Sequence, residues 1–453
     1  MEKVEIKSLV YGGAGVGHLD NGKTVFVDDV VDGDFIEAEI YSDKKHFAFA
    51  CVKNLLTPSK YRIDPVCKLS KVCGGCQWQQ VDYEHQLDVK TRIVKDTLQK
   101  ALKKEIYVER TIASPDNLQY RCKVQMPVSQ TKTSKRILAG YFKKNSHELI
   151  NIKYCPIQPD IIGEICEYLK EAIQKKNIRA YDEKTQKGMI RHFVFRYSST
   201  NKKILLIFVV NSKSTAPDLR IVADEVRHKF PQISGVCVNF NKQNSNVIMG
   251  ENFELISGDD FIEENLEGRI YHISKGSFFQ VNPRSAVNIF KTAEDMLKSQ
   301  FNEKIPVLLD AYSGVGSFSI WLKDAAERIV AVEDYPQAVC DAKINLEKNQ
   351  AENISLFEGD AQEVLDNFVK EGQVFDAVII DPPRKGCSEK ALEAVAALSK
   401  RSIVYVSCNP ATLGRDLKKL EELGFFIKRV QPVDMFCHTH HVETVVLLGK
   451  DVG

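Results

Sequence analysis

From about residue 273 onward, short apolar runs alternate with stretches of helical periodicity. Val307-Leu308-Leu309-Asp310, Ile329-Val330-Ala331-Val332-Glu333, Ala377-Val378-Ile379-Ile380-Asp381 and Ile403-Val404-Tyr405-Val406-Ser407 each end on a polar or acidic residue. Buried runs separated by helices predict an α/β unit with a parallel sheet. Ligands of such sheets bind outside the carboxyl ends of the strands, where these polar endings fall. Residues 1–58 differ. Thr24–Val27 and Phe35–Ile40 read as short strands, and Val10–Gly17 is a glycine-rich turn. This predicts a small barrel of the oligonucleotide-binding (OB) kind. The glycine run is not a phosphate loop, because neither a strand–helix context nor Gly-Lys-Ser/Thr accompanies it. Leu87, Val94, Leu98 and Ala101 recur at helical spacing and predict a core-packed helix over 83–102. Residues 120–265 read as a mixed, mostly strand-rich region, clearest at Arg191–Arg196 and Ile204–Val210. Three units follow: 1–58, 59–265 with the helix 83–102 available to pack on the last unit, and 266–453.

Composition fits this division. A chain of 453 residues has room for two or three domains, and 43% apolar with 27% charged residues describes an ordinary soluble protein. No apolar run approaches the roughly 20 residues that span a bilayer, and the N-terminus lacks the regions of a signal peptide. A cytoplasmic protein without membrane contact is expected, so its 12 cysteines are read as metal-binding, catalytic or buried. The net charge of +1 argues against a uniformly basic surface. Lys100–Lys144 nevertheless carries eleven Lys/Arg against three acids, and Glu251–Ile270 seven acids against one Arg. The first stretch suits phosphate binding or a solvated surface.

The strand endings suggest a cofactor. Gly314-Val315-Gly316 follows the first strand, where glycines let backbone approach a ligand. Glu333, ending the second strand, is placed for the ribose hydroxyls of an adenosine. Neither Ser319, where a dinucleotide fingerprint begun at Gly314 needs its third glycine, nor Ile320 is glycine, which points to S-adenosylmethionine. Asp360 is placed for the adenine amine, or alternatively caps a helix.

Cys408-Asn409-Pro410 closes the fourth run, and Glu443 lies beyond it. Asp381-Pro382-Pro383-Arg384 lacks the aromatic residue that serves methylation of amino groups on bases. Methylating a uracil at C5 calls for a thiolate that adds to C6 and makes C5 nucleophilic. A base must then remove the C5 hydrogen. Cys408 and Glu443 suit these two roles, and Asp381 could bond to the pyrimidine edge or to the cofactor. His438-Thr439-His440-His441 has no further metal ligand at standard spacing, and reads as a substrate-side or structural loop.

Cys67, Cys73 and Cys76 lie within ten residues, and Cys155-Pro156 lies downstream. Three clustered thiols and a remote one suit a cubane 4Fe-4S cluster, with zinc as the alternative.

With these motifs the chain resembles the RNA (uracil-5-)-methyltransferases, of the iron–sulfur type that acts on 23S ribosomal RNA. The resemblance implies an N-terminal TRAM domain, a mixed central domain holding a 4Fe-4S cluster on Cys67, Cys73, Cys76 and Cys155, and a Rossmann-like methyltransferase domain. It implies Cys408 as nucleophile and Glu443 as base. It implies Gln280, in Phe278-Phe279-Gln280-Val281-Asn282, as a contact of S-adenosylmethionine, together with Tyr312, Ser317, Glu333, Asp360 and Asp381. The family often has Cys where Ser313 stands, Asn where Ser317 stands, and Asn where Cys122 stands. A monomer acting on structured RNA, 23S ribosomal RNA above all, is expected. The alternatives are the same chemistry on transfer RNA, and a non-catalytic RNA-binding assembly factor.

Overall fold

In the computed structural model, which describes residues 1–450, the first five strands form a closed barrel. They are Glu2–Leu9, Gly15–His18, Thr24–Val27, Phe35–Asp43 and Phe47–Thr57. Alternation along them turns Val4, Ile6, Val25, Val27, Ile36 and Ala38 inward. The wall is tight at Gly15, where a Cβ would collide with Cγ2 of Val30 and lie 2.8 Å from Cγ2 of Ile6.

A central seven-stranded sheet follows, in the order Asn252–Gly258, Ile233–Phe240, Ile204–Val210, Ile190–Tyr197, Lys123–Gln130, Ile137–Phe142, Leu149–Asn151. All of Ile204–Val210 is buried. A continuous apolar strand needs cover on both faces. Helices Asp160–Lys175 and Pro217–Lys229 cover one, packing Leu169 and Val222 with Leu206 and Phe208. On the other face, Leu205, Ile207 and Val209 join a core that includes Phe290 and Trp321 of the C-terminal unit. The hairpin of Phe261–Leu266 with Arg269–Ser274 straddles residue 265 and contributes to that same core.

The C-terminal sheet has seven strands, in the order Ile354–Glu358, Ala326–Glu333, Ile305–Asp310, Phe375–Ile380, Ser399–Ser407, Glu443–Lys450, Phe425–Val433. The first five are mutually parallel, so their carboxyl ends share one edge. Glu443–Lys450 is antiparallel to both its neighbours. It therefore begins where the parallel strands end, with Thr444 opposite Ser407.

The helix Tyr83–Leu102 joins the units. Its N-cap Asp82 accepts a bond from the His85 N–H. Val89 and Ile93 enter the barrel core, while Val94 and Leu98 pack with Leu413 and Leu417 of the C-terminal unit. Between these faces lies Lys90, fully buried. Its Nζ bonds Asp434 Oδ1 at 2.7 Å and the Phe436 carbonyl at 3.1 Å. The Tyr83 hydroxyl donates to Asp434 Oδ2 at 3.0 Å. Among the described residues, no helix is long and apolar enough to cross a membrane.

Removing one partner of a buried pair leaves an uncompensated charge. Lys90→Ala is expected to cost about 3–5 kcal/mol of stability, read as a lower urea midpoint. A midpoint equal to that of the parent chain would show that the Asp434 charge is accommodated some other way.

Candidate active site

Cys408 follows the buried strand Ser399–Ser407 and precedes the helix Pro410–Glu422. Its position is fixed by capping. Asn409 accepts a bond from the Ala411 N–H at 3.1 Å, and Pro410 occupies the first turn. Asn409 Nδ2 and Thr412 Oγ1 each donate to the Arg384 carbonyl at 3.3 Å. The Asp381–Arg384 turn is thereby tied to the cysteine turn. Glu443, 6% exposed, stands at the start of the antiparallel strand on the same edge.

These groups act on one another. Burial, the Glu443 charge and the Asp381 charge push the Cys408 thiol up to about 11, while Arg384 pulls it down. Burial and then Asp381 raise the Glu443 carboxyl to about 8, against Arg384. Asp381 is raised to about 7 by burial and by Asp310. The edge thus joins a half-buried thiol, a carboxyl that exchanges its proton near neutral pH, and one cation that favours both anions. Such a set can add sulfur to an electrophilic carbon and then remove a proton from its neighbour.

The cofactor candidates lie along the next strand ends. Glu333 Oε2 accepts the Gly314 N–H at 2.7 Å, and Oε1 the Tyr335 N–H at 2.9 Å. A Cβ built on Gly314 would meet nothing within 4 Å, so the space beside this carboxylate is open. Asp310 Oδ1 and Ser313 Oγ are buried there without a partner. Open space, carboxylates and unpaired polar atoms fit an adenosine-bearing cofactor with a cationic centre. Tyr312 is half-buried, its hydroxyl 4.0 Å from the Cys387 sulfur. Ser317 begins the short helix Ser317–Trp321, and its carbonyl accepts the Tyr271 hydroxyl at 3.2 Å. The Tyr271 ring lies 5.5 Å from that of Phe279, so Gln280 follows a residue packed against this same segment. Asp360 is exposed and caps the helix Ala361–Lys370, accepting the Glu363 N–H at 3.1 Å.

Cys67, Cys73, Cys76 and Cys155 line a single cavity of ≈ 210 Å³, with Leu69 and Tyr141. Burial pushes Cys76 up to about 12 and Cys155 to about 11, and charge on the other cysteines adds to each. Among the described residues, no three His, Cys, Asp or Glu side chains are grouped so that they could hold one metal ion. The loop is also a brace. The Gln77 and Trp78 amides donate to the His438 carbonyl at 3.0 Å each, and Trp78 Nε1 donates to the Gly13 carbonyl at 3.0 Å. The latter bond brings the barrel's glycine turn to the catalytic edge, where Tyr11 packs on His440. No local signal in the sequence could have placed Tyr11 there, because the contact joins opposite ends of the chain. The His438–His441 segment is accordingly held between the barrel turn and the cysteine loop.

Residues 82–451 match the family model for tRNA (Uracil-5-)-methyltransferase, and residues 2–53 match that for the TRAM domain. An uncharacterised RNA methyltransferase of Bacillus cereus is 35% identical, covering 99% of this chain and 96% of its own length. One of Clostridium acetobutylicum is 37% identical, covering 97% and 94%. The solved structure of Pyrococcus abyssi tRNA (uracil-54, C5)-methyltransferase in complex with S-adenosyl-L-homocysteine superposes with a TM-score of 0.76 at 27% identity. It covers 99% of each chain. By these likenesses the chain belongs to the RNA (uracil-5-)-methyltransferase family, enzymes that use S-adenosylmethionine, and carries an N-terminal TRAM domain.

Proposed function

We propose that this enzyme methylates C5 of a uridine in 23S ribosomal RNA, working as a monomer in the cytoplasm. The observation that carries the chemistry is the meeting of Cys408 and Glu443 on one sheet edge, with Arg384 acting on both. The target base leaves its stack so that its face reaches the sulfur. The Cys408 thiolate adds to C6, forming a C–S bond and shifting electron density to C5 as an enolate. Gln280, Tyr312, Ser317, Glu333, Asp360 and Asp381 would hold S-adenosylmethionine, which would supply an electrophilic methyl group to C5 and depart as S-adenosyl-L-homocysteine. Glu443 as carboxylate then takes the C5 proton, the C5–C6 double bond re-forms, and the sulfur leaves as thiolate. Arg384 favours the thiolate before addition and after release.

Cys67, Cys73, Cys76 and Cys155 are the proposed ligands of a 4Fe-4S cluster. Four thiols around one cavity fit a cationic group, since charge on Cys67 and Cys73 adds to burial in raising Cys76 and Cys155. A single zinc needs its sulfurs about 2.3 Å from one point, and no such grouping is present among the described residues. This resemblance to the iron–sulfur type favours ribosomal RNA. The Pyrococcus neighbour, named for transfer RNA, supports a second reading with the same chemistry on that substrate.

Nucleoside mass spectrometry decides between them. Deleting the gene should remove 5-methyluridine from 23S RNA and leave it in transfer RNA; the reverse pattern would transfer the activity to transfer RNA. Cys408→Ala should abolish turnover, and Glu443→Gln should accumulate a denaturation-resistant protein–RNA adduct. Turnover by the alanine variant would rule out covalent addition. kcat should climb with pH through about 8, as Glu443 loses its proton. Asp381→Asn removes a charge that holds this carboxyl up, so the climb should move to lower pH; an unmoved limb would uncouple the two. Anaerobically purified protein should be brown and contain iron and acid-labile sulfide. A colourless zinc protein would remove the cluster from the proposal.

A further inference from the structure

The glycine-rich turn has no part in the chemistry above, yet it delivers a side chain to the catalytic edge. Tyr11 lies edge-on to His440, with ring centroids 4.8 Å apart at 82°, and 6.3 Å from His441 at 79°. The two imidazoles are 4.1 Å apart, and His441 is edge-on to Phe436 at 5.7 Å. His441 is two residues before Glu443, and Thr444 pairs with Ser407, the neighbour of Cys408. These rings therefore border the catalytic pocket.

Two features separate this patch from core packing. Tyr11 keeps 38% of its surface exposed, and its hydroxyl makes no hydrogen bond among the described residues. His440 Nδ1 is buried without a partner. The patch is also rigid. Gly12 and Gly13 adopt φ of +103° and +94°, where other residues are strained. A Cβ on Gly13 would lie 2.6 Å from Cγ of Gln77. Gln77 and Trp78 hold the His438 carbonyl, and Trp78 also holds the Gly13 carbonyl, so one segment fixes both sides of the ring contact. Burial lowers His440 to about 4 and His441 to about 3, leaving both rings neutral at physiological pH. Neutral rings bind bases by their faces and edges better than they bind phosphate. Burial and the Cys408 charge raise the Tyr11 phenol, Arg384 lowers it, and Glu443 raises it slightly, so the ring lies within electrostatic reach of the reacting groups.

We propose that Tyr11 is a substrate-contacting residue: buttressed edge-on by His440, its ring is a stacking face, supplied by the barrel, for the base next to the flipped uridine. Flipping leaves that neighbour without its stacking partner, and an aromatic ring replaces it. The proposal rests on the reading that the uridine is modified at Cys408. It assigns the barrel a direct place in the active site, beyond holding distant RNA.

The test uses the full-length protein with Tyr11→Ala and Tyr11→Phe. The kinetic substrate is RNA from cells lacking the gene, and the binding probe is a short single-stranded oligonucleotide with 2-aminopurine beside one uridine. Loss of one stacked base is expected to raise KM about tenfold in Tyr11→Ala, with kcat within about twofold. Quenching of 2-aminopurine fluorescence should disappear in that variant, and Tyr11→Phe should retain both properties. S-adenosyl-L-homocysteine binding, measured by calorimetry, should match the parent chain and so exclude misfolding. Unchanged KM and quenching in Tyr11→Ala, or no quenching by the parent chain, would overturn the proposal. So would a Tyr11→Phe defect as large as that of alanine, since it would move the role to the hydroxyl. If the parent chain methylates none of the RNA, the reading of the reaction fails, and the quenching comparison still decides the stacking.

Discussion

Five parallel strands deliver five carboxyl ends to one edge, and a later strand that joined them in parallel would bring its own end there too. The last strand reverses direction instead. Pairing Thr444 with Ser407 puts the beginning of Glu443–Lys450 at that edge, and Glu443 is its first residue. A carboxyl and a thiol thus come from two strands bonded to each other. Their spacing is set by backbone register, which a side-chain substitution elsewhere does not shift. A slip of one residue would turn Glu443 to the other face of the sheet. The low polarity around the pair follows from the same placement, because both flanking strands are buried.

That edge is held from outside the sheet by two devices of different character. The Lys90–Asp434 pair is a charged contact in a dry interior, where attraction must offset desolvation. The added bonds from Tyr83 and to the Phe436 carbonyl make that balance favourable. The cysteine loop uses neutral backbone bonds, which demand alignment and little desolvation. One joins the helix Tyr83–Leu102 to the segment before His438, the other joins the barrel to the segment itself. Together they make three units behave as one around the pocket.

Strand ends were legible because their chemistry is local. An apolar run stopping at Asp, Glu or Ser-Cys announces both the sheet and its reactive edge, and Cys408, Glu333 and Asp381 all lie on it. The sequence could not rank one use of a residue against another: Asp360 spends one oxygen capping a helix. The stripe Leu87, Val94, Leu98, Ala101 marked one face of its helix, but the helix is packed on two, so Val89 and Ile93 are buried as well. Lys90, inside that stripe's neighbourhood, carries a residue type that ordinarily signals solvent. The strand-rich reading of 120–265 passed over Asp160–Lys175 and Pro217–Lys229, although both cover the central sheet. Tyr11 was hidden for a different reason: its role comes from a contact between domains, to which no spacing along the chain corresponds.

The direction of the last strand also bears on when the enzyme comes into being. During synthesis the barrel, the cysteine loop and the parallel strands leave the ribosome first. Until the final segment emerges, Ser399–Ser407 presents an open edge, Lys90 has no Asp434, and the amides of Gln77 and Trp78 have no His438 carbonyl. The catalytic edge is therefore incomplete in nascent chains, and the same final residues that close the sheet bring Glu443 to it.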